Sequence, residues 1–355
     1  MIELEVSSGI FINDTYCISP QVTYDQSFSE KAVINHTGNR YTAVEPPYGQ
    51  FIPAGALRRM GKAVRMGVGA GMPLINRNQG IDAIILGTAN GGLEDCLKFL
   101  NQIVDYEEGT LTPTNFVQST PNAVAGSLAL MSSNTGYNAT HVHKGLAFEA
   151  ALLDALLLIR EKRALKVLLG AVEEISEYNY NIDFLAGSFK AEDVTSATLL
   201  ASQSPGTVCG EGAAMFILSG EKTVNARAEL VDVEQLTYPD EAGLSEKVHH
   251  FLSRNGMSSD EIDTLILGYS GDNRNDHWFA QLQQTIFPDC QKFTYKNLVG
   301  DYPTSSAFAT WLAVEIFSGR SVPAEVGEMT GQVRNILVFN HYKGVQFGFI
   351  LLRAC

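Results

Sequence analysis

The 355-residue chain is short of several things, and each shortage narrows what it can be. Its cysteines are few, odd in number and scattered (Cys17, Cys96, Cys209, Cys290 and Cys355), with no C-x-x-C spacing. That argues for free thiols in a reduced compartment and against a disulfide framework or a zinc site. No apolar run is long enough to cross a bilayer: the longest, from about Leu146 to Ile159, is broken by Glu149 and Asp154. The opening MIELEVSSGIFI has neither a basic n-region nor a small-residue cleavage site, so no secretory signal and a cytoplasmic location are expected. Basic residues are outnumbered, 25 Lys and Arg against 39 Asp and Glu, which leaves a net charge of -14. Such a balance excludes ordinary nucleic-acid binding and attraction to anionic membranes. What the chain does have is 45% hydrophobic residues, with no linker-like Pro/Gly/Ser tract to divide them. A large core is implied, in one big domain or two intimately packed halves.

An internal echo favours two halves. IDAIILG (Ile81 to Gly87) and IDTLILG (Ile262 to Gly268) agree at five of seven positions. Each reads as a strand buried on both faces, because it is a near-continuous apolar run bounded by polar loops. Glycine-containing loops follow, TANGGLED and YSGDNRND, and then the helical patterns LEDCLKFLNQIV and DHWFAQLQQTIF. STPNAVAGSLALMSS (Ser119 to Ser133) and GDYPTSSAFATWLAV (Gly300 to Val314) read as a second matched pair, each a turn feeding a small-residue helix. KVLLGAVEEIS with GEGAAMFILSG, and NILVFNHYKG with GVQFGFILLRA, read as antiparallel strand pairs that close the two halves. Matched elements in the same order indicate duplication, with halves over residues 1–225 and 226–355.

Alternating strands and helices imply a largely parallel sheet in each half. The segment from Gly145 to about Lys162 is apolar on nearly every side, which suits a helix in a central layer. The expected fold class is α/β, with layers helix, sheet, helix, sheet, helix.

Several stretches then carry a resemblance. They are RRMGKAVRMGVGAG (Arg58 to Gly71), GTANGGLED (Gly87 to Asp95), PTNFVQSTPNAVAGSLAL (Pro113 to Leu130), THVHKG (Thr140 to Gly145), GAVEE (Gly170 to Glu174) and GEGAAMFIL (Gly210 to Leu218). Together and in order they resemble a β-ketoacyl synthase of the thiolase superfamily over essentially the whole chain. The FVQS…N-x-x-AG pattern is similar to ketosynthases and chain length factors of aryl polyene and flexirubin-type pathways. The resemblance implies a thiolase-like five-layered αβαβα fold whose two duplicated halves are related by a pseudo-twofold axis. It implies a cysteine nucleophile at a strand–helix elbow, where a helix N-terminus favours the thiolate, and two histidines.

All three positions are vacated. The elbow, 140–145, places Val142 at the cysteine. The loop 268–276 places Gly268 at one histidine, and 296–301 keeps Lys296 but places Asp301 at the other. Valine cannot carry a thioester, and glycine has no side chain to donate to an oxyanion. The resemblance therefore implies a non-catalytic, chain length factor-like subunit that pairs with an active β-ketoacyl synthase, meets acyl carrier protein only indirectly, and shapes an acyl tunnel for a fatty acid, polyene or polyketide product. Phe116, Gln118, Phe148, His141 and His143 are the candidates for tunnel or interface.

Other readings stay open. His141 or His143 could act as base and Asp301 as acid in altered chemistry on acyl thioesters. The chain could instead be a homodimer that binds acyl groups without transforming them. His141 and His143 lack the further ligands a metal needs, and the TANGG loop lacks both G-x-G-x-x-G and a P-loop lysine, so neither metal nor cofactor is expected. Lys144 is a possible partner of Asp301. Phe116 to Gln118 also fit an ordinary core strand, Asp272, Arg274 and Asp276 a solvated loop, Cys96 and Cys209 buried small hydrophobes, and His249 and His250 a surface helix.

Overall fold

The computed structural model describes residues 9–25, 28 and 31–355. Most of the opening stretch read above for a signal, residues 1–8, lies outside them. In chain order the elements of the first part are β1 (Ile10–Ile18), β2 (Arg40–Tyr41), α1 (Ala54–Leu57), α2 (Lys62–Arg77), β3 (Ala83–Gly87), α3 (Leu93–Asp105), α4 (Pro113–Gln118), α5 (Ala123–Ser132), β4 (Tyr137–His141), α6 (Ala147–Arg160), β5 (Lys166–Glu173), α7 (Glu177–Leu185), β6 (Cys209–Gly210) and β7 (Gly212–Ser219). The second part runs β8 (Ala228–Thr237), α8 (Glu241–Arg254), β9 (Thr264–Leu267), α9 (His277–Thr285), β10 (Gln291–Thr294), α10 (Lys296–Val299), α11 (Ser306–Phe317), β11 (Asn335–Tyr342) and β12 (Gln346–Ala354).

Ten strands form one continuous sheet in the order β10-β9-β11-β12-β8-β1-β7-β5-β3-β4. Read outward from the middle, it is two copies of one five-strand pattern. β4, β3 and β5 are parallel, and β7 and β1 follow antiparallel. β10, β9 and β11 are parallel, and β12 and β8 follow antiparallel. The sets join where Ile10–Ile12 of β1 pair with β8. The echoed IDAIILG and IDTLILG are thus β3 and β9, which hold the same place in each set.

Side-chain alternation builds the layers, because successive residues of a strand point to opposite faces. Ile84 and Leu86 of β3 pack with residues of α2 and α5 in one outer layer, while Ala83 and Ile85 face the centre. Leu265 and Leu267 of β9 pack with α8 and α9 in the other outer layer, and Ile266 faces the centre. Between the two sets lie α6 and α11, which give the five layers expected.

Three details differ from the sequence reading. The two small-residue helices are not counterparts: α5 packs in an outer layer, whereas α11 is central, as α6 is. Small residues permit close packing in either place, so composition alone paired the wrong elements. Phe116 to Gln118 form the end of α4, not a strand, since Pro113 stands at its first turn, where the missing N–H costs nothing. The central helix is not enclosed all round either. Leu153 and Leu157 of α6 are exposed, beside the outermost strand β4.

The two ends of the sheet are finished differently. Beyond β10 the chain returns: Thr294 N–H donates to Val326 O at 2.8 Å, and the Gln291 side chain exchanges bonds with the backbone of Thr330. Among the described residues nothing pairs with the outer edge of β4. Exposed Tyr137, Val142, Leu153, Leu157 and Leu130 (83% exposed) flank or follow it. An open strand edge beside apolar side chains is a template for another chain.

Candidate functional site

The elbow between β4 and α6 is a short 3-10 turn, Lys144–Leu146, in which Lys144 adopts φ of 52°. Val142 is 53% exposed, and His143 and Lys144 are exposed as well. His141 turns to the helix that follows: its Nε2 lies 2.9 Å from Asp154 Oδ2, which also accepts from Tyr137 Oη at 3.1 Å. Gly145 N–H donates to Gln346 Oε1 at 2.9 Å, which ties the elbow to the β11–β12 hairpin.

The two histidine frames converge on a buried lysine. Lys296 opens α10 with its side chain 1% exposed, and its Nζ lies 2.8 Å from Asp301 Oδ1. The cation of Asp301 is therefore Lys296, and exposed Lys144 is not its partner. A side chain at Gly268, at the end of β9, would have to displace that of Asn340. A Cβ built there would run into Asn340 Oδ1 of β11 and come within 3.2 Å of Lys296 Cε. Close by in the central layer is Glu149 of α6, whose carboxyl burial pushes up to about 7, with Lys296 pulling it back. Glu149 Oε2, Asn340 Oδ1 and the hydroxyls of Tyr295, Thr304, Ser305 and Ser306 are buried without hydrogen-bond partners. So dense a group of orphaned polar atoms is where internal water is expected.

Beside this cluster a cavity of about 350 Å³ opens between the halves. Asp301 and Tyr302 form part of one wall, Glu173 and Glu174 another, and Tyr342 and Lys343 of the hairpin a third. Tyr342 also packs against Gly145, so the hairpin is shared by elbow and cavity, while Val142, His141 and His143 are not among the cavity's lining residues. Burial pushes the carboxyls of Glu173 and Glu174 up to about 7. Burial, helped by Lys296, pushes the His341 imidazole down to about 3, so it is neutral near pH 7.

The loop after β9 is braced, not solvated. Asp272 is 5% exposed and holds Arg274 in a two-pronged pair, and the Asp276 carboxylate accepts the N–H groups of Ser270 and Gly271. Lys190, fully buried, fastens this loop to the segment before β6: its Nζ donates to Gly271 O, Ser202 Oγ, and both Ser204 O and Ser204 Oγ at 2.7–2.9 Å.

The remaining candidates scatter. Phe116 is exposed, and its ring is tilted against that of Phe99, centroids 5.3 Å apart. Gln118 turns inward, bonding Arg59 O and Gly61 N–H. Phe148 is fully buried against Phe216, ring centroids 5.8 Å apart. Burial pushes the Cys209 thiol far above its ordinary range, Cys96 is half-buried on α3, and His249 and His250 are exposed on α8. Sequence reasoning missed Asn340, Glu149, Tyr302 and Lys190. The available signal was a polar residue inside an otherwise apolar strand or helix, as in ILVFNHY and FEAALL.

Residues 35–231 match the family model of the β-ketoacyl synthase N-terminal domain. No curated protein sequence matches the chain. Among solved structures, the chain is similar to the ishigamide ketosynthase/chain length factor, with TM-score 0.78 and 16% identity over 99% of this chain and 100% of that one. It is similar to a β-ketoacyl synthase from Burkholderia phymatum STM815, with TM-score 0.80 and 14% identity over 98% and 100%. It is also similar to the ketosynthase ApeO in complex with its chain length factor ApeC from Xenorhabdus doucetiae, with TM-score 0.77 and 16% identity over 98% of both. At such identities the likeness is one of fold.

Proposed function

The chain belongs to the β-ketoacyl synthase family, and from that premise we propose that it is a non-catalytic, chain length factor-like subunit, which pairs with an active ketosynthase and shapes the acyl tunnel of a fatty acid, polyene or polyketide pathway. The observation that carries this reading is the way the catalytic positions are filled. Val142 has no nucleophile to offer, Asp301 is committed to Lys296, and Asn340 occupies the space a side chain at Gly268 would need. A site that had merely lost one residue would keep room for the others. A second feature supports the pairing: the open edge of β4 with its apolar flanks. Solved relatives of this fold include ketosynthase and chain length factor complexes.

The test is native mass spectrometry of the tagged chain purified at low salt from the organism that encodes it. A one-to-one complex with a ketosynthase of similar size, whose cysteine takes up acyl mass from an acyl carrier protein, is the expected result. A chain that stays a homodimer and turns over acyl thioesters alone, with activity lost in His143→Ala, overturns the proposal.

A further inference from the structure

One wall of the cavity is a helix that is lightly held. Asn179, Asp183 and Ala186 of α7 line the cavity, while Ile182 (66% exposed) and Leu185 (86%) stand in solvent. A helix with one face on a cavity and another in water is the partition between them. Its first turn is tied within the first part of the chain: Glu177 to Arg40 at 2.7 Å, and Tyr178 Oη to Asn101 Nδ2 at 2.8 Å. Tyr180 is the anchor. It is buried, stacks on Phe189 with ring centroids 5.0 Å apart, and carries the Arg40 guanidinium 3.6 Å from its own centroid. The last turn is instead held from the second part of the chain. Lys343, in the turn of the β11–β12 hairpin, lies with Nζ 3.0 Å from Asp183 Oδ1 and donates to Ser188 Oγ at 3.1 Å. Arg274 donates to the carbonyl oxygen of Gly187 at 3.0 Å. Gly187, just past the helix, adopts φ of 72°, a conformation that glycine enters and leaves without strain.

We propose that the C-terminal half of α7 is a lid on the cavity, set between the Tyr180 anchor and a pivot at Gly187, and latched shut by the Asp183–Lys343 pair. The two cations then have different tasks. Arg274 fixes the pivot, and Lys343 fixes the moving turn. With the latch broken, Asp183 to Ala186 leave the cavity and open it beside Cys209, a half-buried residue of the same wall. Little opposes this movement, because Ile182 and Leu185 bury little apolar surface that opening would forfeit. The latch is also weak by nature: Lys343 keeps 46% of its side-chain surface in water and Asp183 keeps 26%, and ion pairs so exposed are screened by salt. The inference concerns the chain alone and needs no partner subunit.

Hydrogen exchange followed by mass spectrometry tests it on the full chain, together with alkylation of the cysteines by iodoacetamide resolved peptide by peptide. Lys343→Met is expected to speed amide exchange over the last turn of α7 about fivefold, the most that one exposed ion pair contributes. Alkylation of Cys209 should rise by a similar factor. Cys290, half-buried and outside the cavity, should be alkylated as in the parent. Lys343→Arg, which keeps the charge, should behave as the parent does. Raising the salt from about 50 mM to about 500 mM should reproduce the change in the unaltered chain and add little in Lys343→Met. The salt series needs no substitution, so it decides the matter even if a variant misfolds. Unchanged exchange over the last turn of α7, faster exchange there without faster alkylation of Cys209, or an equal rise at Cys290 each overturns the proposal.

Discussion

Lys296 and Asp301 form a lopsided ion pair: the ammonium is buried, with its side chain 1% exposed, while the carboxylate, 2.8 Å away, keeps 23% of its side-chain surface. The exposed partner thus stabilises the buried one. Removing the carboxylate strands a charge that water cannot reach, which typically costs about 3–5 kcal/mol. Because Asp301 is itself partly hydrated, Asp301→Asn is expected at the low end, about 3 kcal/mol. Replacing both residues, in Lys296→Met with Asp301→Leu, should cost less than the single change. Urea unfolding of Asp301→Asn, of the double variant and of each of its two single changes measures this, and additive costs in the double variant would show that the pair is not coupled.

Gly268 makes the second prediction. Gly268→Ala drives a methyl group into Asn340 and toward Lys296, and overpacking of this kind costs about 1–3 kcal/mol. Adding Asn340→Gly should recover part of the loss. The triple variant Val142→Cys, Gly268→His, Asp301→His should not condense acyl groups, since the imidazole at 268 has no space. Turnover by that variant, followed by release of carrier-bound product, would show that the space opens after all.

The buried carboxyls set the pH dependence. Glu149, Glu173 and Glu174 are each raised by burial to about 7, above the range they have in an unfolded chain. The folded state therefore holds more protons between about pH 4.5 and 7, and the stability these groups contribute, full below that window, is lost as pH rises through it. His341, lowered to about 3, and His36, which burial also lowers, work in the opposite sense up to about pH 6.5, but burial raises Asp95 and Asp276 as well as the three glutamates. Stability should fall from pH 5 to 7, and Glu149→Gln should flatten that fall and be the more stable protein at pH 8. Denaturant midpoints across this range decide it.

The open edge of β4 gives a test of association. Leu130 and Leu157 are exposed beside it, so Leu130→Asp and Leu157→Asp should change the stability of the isolated chain by no more than about 0.5 kcal/mol. Each should nonetheless prevent the chain from co-purifying with the proposed ketosynthase partner. Retention of the complex by both variants would place the interface elsewhere.

The chain's own pattern of residues determined the layers. IDAIILG and IDTLILG are short apolar runs bounded by turns, and only a strand covered on both faces suits them, so β3 and β9 and their duplication were legible before any coordinates. The proposed loss of the nucleophile at the elbow was legible too, because a change of residue type is visible at one position. Tertiary structure alone decided what surrounds Gly268 and the loop that follows it. Asn340 lies 72 residues beyond Gly268 and Lys190 lies 81 before Gly271, and no local periodicity links such pairs. Tertiary structure also decided that α6 pairs with α11 and not α5 with α11. Both comparisons join small-residue helices, and which one lies between the sheets depends on where the strands return, not on what the helix is made of.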